Sequence, residues 1–446
     1  MTDKLNQNMN ETTNNEDGRK YTVNVIDSPC GSGKTEYAMS KLLTQKDKKY
    51  FYITPFVSEA ERVAKDAKEL GFNLPHDYKG KDGKSTGGKT RGCIELLKKG
   101  KNICTTHALF SISGKEFIKY FKQYDYTLVL DEMLDVSEDI QLGHGDVNLL
   151  ALADYIVLPD ADHGIVKQGK NKYERGKIPQ IEKLMDALDK AEVYCAKGIN
   201  EDLSLIRQFP PDILKSFKEV WVMTYLFKDQ IMYAYLLAHK FDLKFHYVKE
   251  TTGNKELKDK NFELIEGELS GSGTKFKHLI TIHEDVKGCK PLNAIGDGRG
   301  TLTSNWWSKN SNDEKLMKAI QDDMHDYKQN HINAKSKFTL WTVFNTYEKN
   351  IARNGYKRAF LQHTSKATNA YRSKNCLMYM IDKRPNPVET RLYKKMGVTI
   401  NEARYSLGHL VQWVFRSAIR DNNPISIYIP SKRMRNILIK WLDGKM

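Results

Sequence analysis

Short runs rich in β-branched and aromatic residues recur along the chain, with stretches of helical spacing between them. In the first half they are YTVNVID (21–27), KKYFYITP (48–55), NICTTH (102–107), YTLVLDE (126–132) and EVWVMTYLF (219–227). Continuously apolar strands between helices predict a parallel sheet covered on both faces. Strand candidates then return at KFHYVKE, FELIEG, HLITIHE, FTLWTVF, RAFLQHT, NCLMYMID and PISIYIP. The pattern predicts an α/β protein of two halves that join between residues 240 and 335. Residues 1–19 hold almost no apolar content and read as a disordered tail. About ninety residues separate Asp131 from Thr224, and that distance predicts an inserted, mainly helical element near 140–215 that contains IEKLMDALDKA.

Length agrees with two or three domains, since 446 residues exceed what one core organises. Lys and Arg number 71 against 56 Asp and Glu, a formal charge of +15 that favours a polyanionic partner such as nucleic acid. The six cysteines form no CxxC pair and no zinc spacing, so they read as reduced thiols of a cytoplasmic protein. No secretory pattern appears, and no apolar run approaches the length of a membrane span.

The chemistry begins after the first apolar run, at DSPCGSGKTEYAMSKL (27–42). Gly31, Ser32, Gly33, Lys34 and Thr35 match the end of the P-loop pattern, with Ser28 where its most familiar form has a glycine. Glycines let consecutive N–H groups turn inward on an anion, and a helix starting near Lys34 adds its positive end. Lys34 is placed against the β and γ phosphates of ATP, and Thr35 against Mg²⁺. In YTLVLDEML an apolar strand ends in two carboxylates. Asp131 is the candidate metal ligand and Glu132 the group that aligns or deprotonates water.

These motifs resemble those of the superfamily 2 nucleic-acid helicases and translocases, the group that includes DEAD-box proteins. SPCGSGKT resembles their first motif and Asp131-Glu132 the start of the DExx box. ITPFVSEAERVAK resembles motif Ia through Thr54 and Pro55, and ICTTHALF resembles the next strand-contact segment through Thr106 and His107. Thr224 sits where motif III places its hydroxyl. HTSKATNAYRSKNCLMYMID resembles a divergent, viral-type motif V centred on Thr368 and Asn369. QWVFRSAIR resembles motif VI through Gln412, Arg416 and Arg420, although Phe415 replaces the usual glycine and Arg420 comes one residue late. On one helix those three would share a face at steps of four, with Trp413, Val414 and Ile419 turned inward.

The resemblance implies two RecA-like parallel-sheet domains in tandem (20–240 and 241–446, the latter with a linking segment near 241–335), with ATP and Mg²⁺ in a cleft between them. It implies an ATP-dependent helicase or translocase of phage or mobile-element type, moving on one strand, DNA favoured over RNA, with possible replication proteins as partners. Two other readings stand beside it. One is an ATP-switched nucleic-acid binding or loader protein that does not unwind. The other is a terminase-like packaging ATPase, which needs a nuclease carboxylate cluster such as Asp322, Asp323 and Asp326 in QDDMHD. Other stretches remain open between packing and strand contact: the loop KGKDGKSTGGKTRG (79–92), Trp306 and Trp307, and the basic stripe of SKRMRNILIKWL, which Ser431 would cap.

Overall fold

The computed structural model describes residues 21–77, 88–143, 145–160, 163–174, 176–197, 203–251, 261–365 and 370–446. The expected tail and most of the 79–92 loop lie outside them. The chain divides into two compact units. The first takes the chain to Ser28, Ser32–Glu268 and Asn386–Ile400; the second takes Pro29–Gly31, Leu269–Pro385 and Asn401–Met446.

In chain order the strands of the first unit begin with β1 (Thr22–Asp27), β2 (Lys49–Thr54), β3 (Ile103–Thr106), β4 (Tyr126–Asp131), β5 (Ser137–Ile140) and β6 (Ile156–Val157). They continue with β7 (His163–Ile165), β8 (Lys167–Gln168), β9 (Glu192–Lys197), β10 (Leu203–Gln208), β11 (Glu219–Thr224), β12 (Asp242–Glu250) and β13 (Phe262–Glu266). Seven of them form one sheet in the order β13-β12-β1-β11-β4-β2-β3, parallel except where β13 turns back along β12. Val23, Val25, Ile26, Leu128, Leu130 and Val222 are fully buried in it, each stabilising the fold by about 1.5–3 kcal/mol on transfer from water. The expected boundary at 240 therefore falls too early. KFHYVKE and FELIEG complete the first sheet, and the unit runs on to Glu268.

The insertion is not mainly helical. Four of its strands form an antiparallel sheet, β5-β10-β9-β7, and β6 pairs with β8. Helices Asp146–Leu152 and Pro179–Lys190 bury Leu150, Leu184 and Ala187 against Ile140, Val193 and Leu205 of that sheet. A helix from late in the chain, Pro387–Lys395, also packs here. Asn386 caps it by accepting from Val388 N at 2.8 Å, and Pro387 takes the position where a missing N–H costs nothing. Its Leu392 joins Tyr194, Ala196 and Ile206, its Glu389 accepts from the Ser137 hydroxyl, and Gln208 Nε2 donates to its Tyr393 hydroxyl at 3.2 Å.

The second unit carries β14 (Ile280–Ile282), β15 (Thr339–Thr342), β16 (Cys376–Tyr379) and β17 (Ile425–Tyr428), all parallel in the order β14-β17-β16-β15. RAFLQHT is not a strand: Lys357–Ala359 makes a 3₁₀ turn and Phe360 a single bridge to Trp341. Trp307 belongs to the core with Trp341 and Tyr428, and its indole donates to Met380 O at 3.3 Å, so it is no stacking platform. Ser431 does cap the helix Lys432–Leu442, accepting from Met434 N at 3.3 Å. Among the described residues no helix is long and apolar enough to cross a membrane.

The docking of helix Pro387–Lys395 predicts that Leu392→Ala costs about 2–5 kcal/mol, read by urea unfolding of the first unit. A cost below about 1 kcal/mol, the range of a surface change, would show that the helix is not anchored there.

Candidate functional site

At the end of β1 the chain turns out of the sheet. Asp27 accepts from Leu226 N at 2.8 Å and Phe227 N at 3.0 Å, which fixes the turn after β11 against the loop that follows β1. Burial raises its pKa, opposed by those two hydrogen bonds and by Lys34. Ser28 explains its own departure from the familiar pattern. Its hydroxyl is buried and accepts from Val248 N at 2.9 Å, so it satisfies a donor on β12 that glycine would orphan. Gly31 and Gly33 both have left-handed backbone, φ 83° and 85°, and a Cβ on Gly33 would sit 2.2 Å from the Phe262 ring. The helix then starts at Lys34, runs to Tyr37 and continues as a π-helix over Ala38–Leu42. Lys34 Nζ folds back to donate to Ser28 O at 2.6 Å.

One strand, β11, separates β1 from β4. Asp27 pairs in register with Thr224 and Met223 with Asp131, so both strand ends reach the same carboxyl edge. There Tyr52 of β2 donates to Asp131 Oδ2 at 3.2 Å, and the His107 Nε2 lies 3.2 Å from Asp131 O. Burial, then the adjacent Glu132 charge, push the Asp131 pKa up to about 7, while Lys34 and the Tyr52 hydrogen bond pull it down. Lys34 is thus close enough to act on Asp131. Glu132 occupies left-handed backbone, φ 81°, and its N–H donates to Met223 O at 2.9 Å. That conformation costs a glutamate about 1–3 kcal/mol and recurs at working sites.

Of the residues expected to hold nucleotide and metal, Ser32, Gly33, Lys34, Thr35, Asp131 and Glu132 all belong to the first unit and follow β1 and β4 at one edge of its sheet, while Gly31 is counted with the second unit. Ser32 Oγ is buried with no hydrogen-bond partner in the structure. An orphaned hydroxyl inside a glycine-turned loop, a lysine and a paired carboxylate opposite suit a polyphosphate and a hard cation.

The expected strand contacts fare differently. Thr54 is fully buried, so its hydroxyl does not face solvent; Pro55 beside it is half-buried. Thr106 spends its hydroxyl capping the helix His107–Ser111, accepting from Leu109 N at 3.3 Å, and His107 is 8 % exposed. Thr368 and Asn369 lie outside the described residues. Motif VI needs the clearest correction, because Gln412, Arg416 and Arg420 do not share one helical face. The helix Glu402–Val414 ends at a Phe415 cap, Ser417 is extended, and a separate 3₁₀ turn spans Ala418–Asp421. The Ser417 hydroxyl donates to Val414 O at 2.6 Å and satisfies a carbonyl of the last turn. Trp413, Val414 and Ile419 are buried as the apolar pattern predicts, but so is Arg416, at 2 % exposure, while Arg420 is half-buried.

Two positions that fix the geometry of this edge lie outside the motifs, Asp27 and Tyr52. Asp27 was visible as a carboxylate inside the loop pattern; nothing local marks Tyr52. The carboxylates of QDDMHD are committed elsewhere, Asp322 to Arg353 at 2.6 Å and Asp323 to Lys290. Among the described residues no three His, Cys, Asp or Glu side chains gather as a metal site.

Fold and site together define an α/β protein with parallel sheets, one of which ends in a glycine-turned loop beside a carboxylate pair. The chain belongs to the YonV family. It is 30 % identical over 437 residues to the SPbeta prophage-derived protein YonV of Bacillus subtilis (strain 168), covering 95 % of this chain and 99 % of that one. Residues 274–442 match the family described as the YonV C-terminal Rossmann-like domain. Among solved structures, that of S. tokodaii Xpd4 aligns with 98 % of this chain and 96 % of its own, at 13 % identity and a TM-score of 0.45.

The raised Asp131 pKa gives a pH test on the metal-free protein. A carboxyl whose folded pKa exceeds its unfolded value of 3.8 loses stability as pH climbs from that value to about 7. Asp131→Asn, always neutral, should raise Tm relative to the parent by an amount that grows across that window and levels off above it. A Tm difference independent of pH would remove the burial argument.

Proposed function

We propose that this protein is a nucleic-acid-dependent ATPase of the superfamily 2 type, a helicase or translocase of phage or mobile-element origin acting on single strands, DNA before RNA. The observation that carries the reading is the meeting of Lys34 and the Asp131-Glu132 pair across one intervening strand, β11. In this role the loop N–H groups and Lys34 hold the β and γ phosphates, with Thr35 and Asp131 placed to hold Mg²⁺. Bound Mg²⁺ would supply charge neutralisation of the phosphate oxygens. Glu132 orients the attacking water and takes its proton, and its strained backbone keeps the carboxylate from relaxing back along the strand. The +15 charge supplies the attraction to a phosphate chain. A prophage-derived relative is consistent with work in phage replication or repair in the host cytoplasm, where replication proteins are the natural partners.

The ATP-switched loader reading keeps one specific observation on its side: the motif VI helix breaks before Ser417 and buries Arg416. A group that neutralises a transition state must reach it, and Arg420 is then the remaining candidate finger.

Lys34→Ala should lose tight ATP binding with the fold intact, and Glu132→Gln should bind ATP and fail to turn it over, because an amide keeps the shape but takes no proton. Added single strand should raise parental ATPase activity. Activity indifferent to both DNA and RNA would overturn the motor reading, and strand displacement on a tailed duplex separates motor from switch.

The two arginines should part company. Arg420→Ala keeps nucleotide and strand binding within a few fold and loses about 10³ or more in hydrolysis, as removal of arginine fingers does. Arg416→Ala chiefly lowers Tm, since its side chain is buried. Steady-state ATPase and thermal melting on both variants check this; normal hydrolysis by Arg420→Ala rules it out as a finger.

A further inference from the structure

The charge of this protein is not spread evenly. Residues 335–374 carry nine lysines and arginines against one glutamate, Glu348, which is more than half of the chain's net +15 within forty residues. The fold gathers part of this segment around a pocket of about 530 Å³ on the second unit. Lys337, Lys357, Arg358 and Lys374 line it together with Ser336 and Gly355, and no carboxylate does. Lys337, Lys357 and Arg358 are exposed, and among the described residues none of the four cations forms an ion pair. Lys374 forms the half-buried floor, its Nζ donating to Lys337 O at 2.8 Å. Burial lowers its pKa below the ordinary lysine value, as befits a cation with no carboxylate beside it.

Its place in the fold sets this pocket apart from the candidate nucleotide site. Ser336 and Lys337 stand just before β15, Lys374 just before β16, and Lys357–Ala359 just before the Phe360 bridge. All mark the amino edge of a parallel sheet, whereas such sheets hold their ligands at the carboxyl edge. A second hollow of about 400 Å³, lined by Lys335, Phe338, Asn375, Pro424 and Ser426, continues along the same edge. Cations spread along an open rim suit a chain of phosphates better than one enclosed phosphate. Tyr356, the aromatic in the first pocket, is buried, and Phe338 in the second hollow is half-buried, so the first pocket offers charge and little stacking surface for bases.

We propose that this amino-edge rim of the second unit binds the phosphodiester backbone of a nucleic-acid strand, independently of sequence. The inference rests on the nucleic-acid reading above and names a contact surface that its motifs do not include. Bound there, a strand would exchange condensed counterions for Lys337, Lys357 and Arg358, and single-strand affinity would carry their salt dependence.

The test is the full-length triple variant Lys337→Gln, Lys357→Gln, Arg358→Gln. Its control is Lys167→Gln, Lys170→Gln, Lys172→Gln, which removes equal charge from exposed positions of the insertion. The probe is a labelled oligothymidylate of about 20 nucleotides, long enough to track a groove, titrated at several salt concentrations. The rim variant should melt like the parent and flatten the slope of log affinity against log salt by about 2, three phosphates at about 0.7 each. The control should leave the slope within about 0.5. Equal slopes for parent and rim variant overturn the proposal, as does a rim variant that loses pyrophosphate binding but keeps the oligonucleotide. A parent that binds no strand overturns both this inference and the motor reading. A flattened slope with ATPase activity indifferent to strands sinks the motor reading alone.

Discussion

The position of β11, paired in parallel with β1 on one side and β4 on the other, is the constraint on which the candidate site depends. Parallel pairing makes all three strands end at one edge, so Lys34 and Asp131, about a hundred residues apart in sequence, come within electrostatic reach. The edge is then locked by side chains that contribute no chemistry of their own. Asp27 holds the turn after β11, the Ser28 hydroxyl holds β12, and Tyr52 on β2 holds the Asp131 carboxylate. Each pairs a buried or half-buried polar group, expensive to bury alone and inexpensive once paired, so the edge has little freedom to rearrange.

Much of this was legible in the sequence, for a local reason. Strands such as YTVNVI and YTLVLD are apolar throughout because both faces of a parallel sheet are covered, and that pattern needs no knowledge of neighbours. The P-loop spacing is likewise local. Strand order is not: nothing within KFHYVKE says that it lies beside β1 and not in the second sheet. The insertion hid for a related reason. Its strands β6, β7 and β8 are two or three residues long, below any readable period, and they pair only with antiparallel partners distant in sequence or equally short.

Motif VI failed as geometry although its residue types are present. Steps of four imply one face only while the helix continues, and it ends at the Phe415 cap, before Arg416 and Arg420. Beyond that cap the Ser417 N–H and hydroxyl both donate to Val414 O, and Ala418–Asp421 forms a separate 3₁₀ turn. Arg416 is 2 % exposed, and Trp413 and Ile419 beside it are buried as well.

The return of Asn386–Ile400 to the first unit alters what any motion between the units requires. Leaving aside the short piece Pro29–Gly31, the chain passes between units near residues 268, 385 and 400, where a simple tandem of domains would pass once. A single linker permits rotation about many axes, whereas three separate crossings must all accommodate the same displacement. The segment between the last two crossings is anchored by Leu392 and by the Glu389 and Tyr393 hydrogen bonds, and directly beyond it lies the helix that carries Gln412. The insertion is therefore linked, through a packed helix and a few residues of chain, to the element that leads into Arg416 and Arg420.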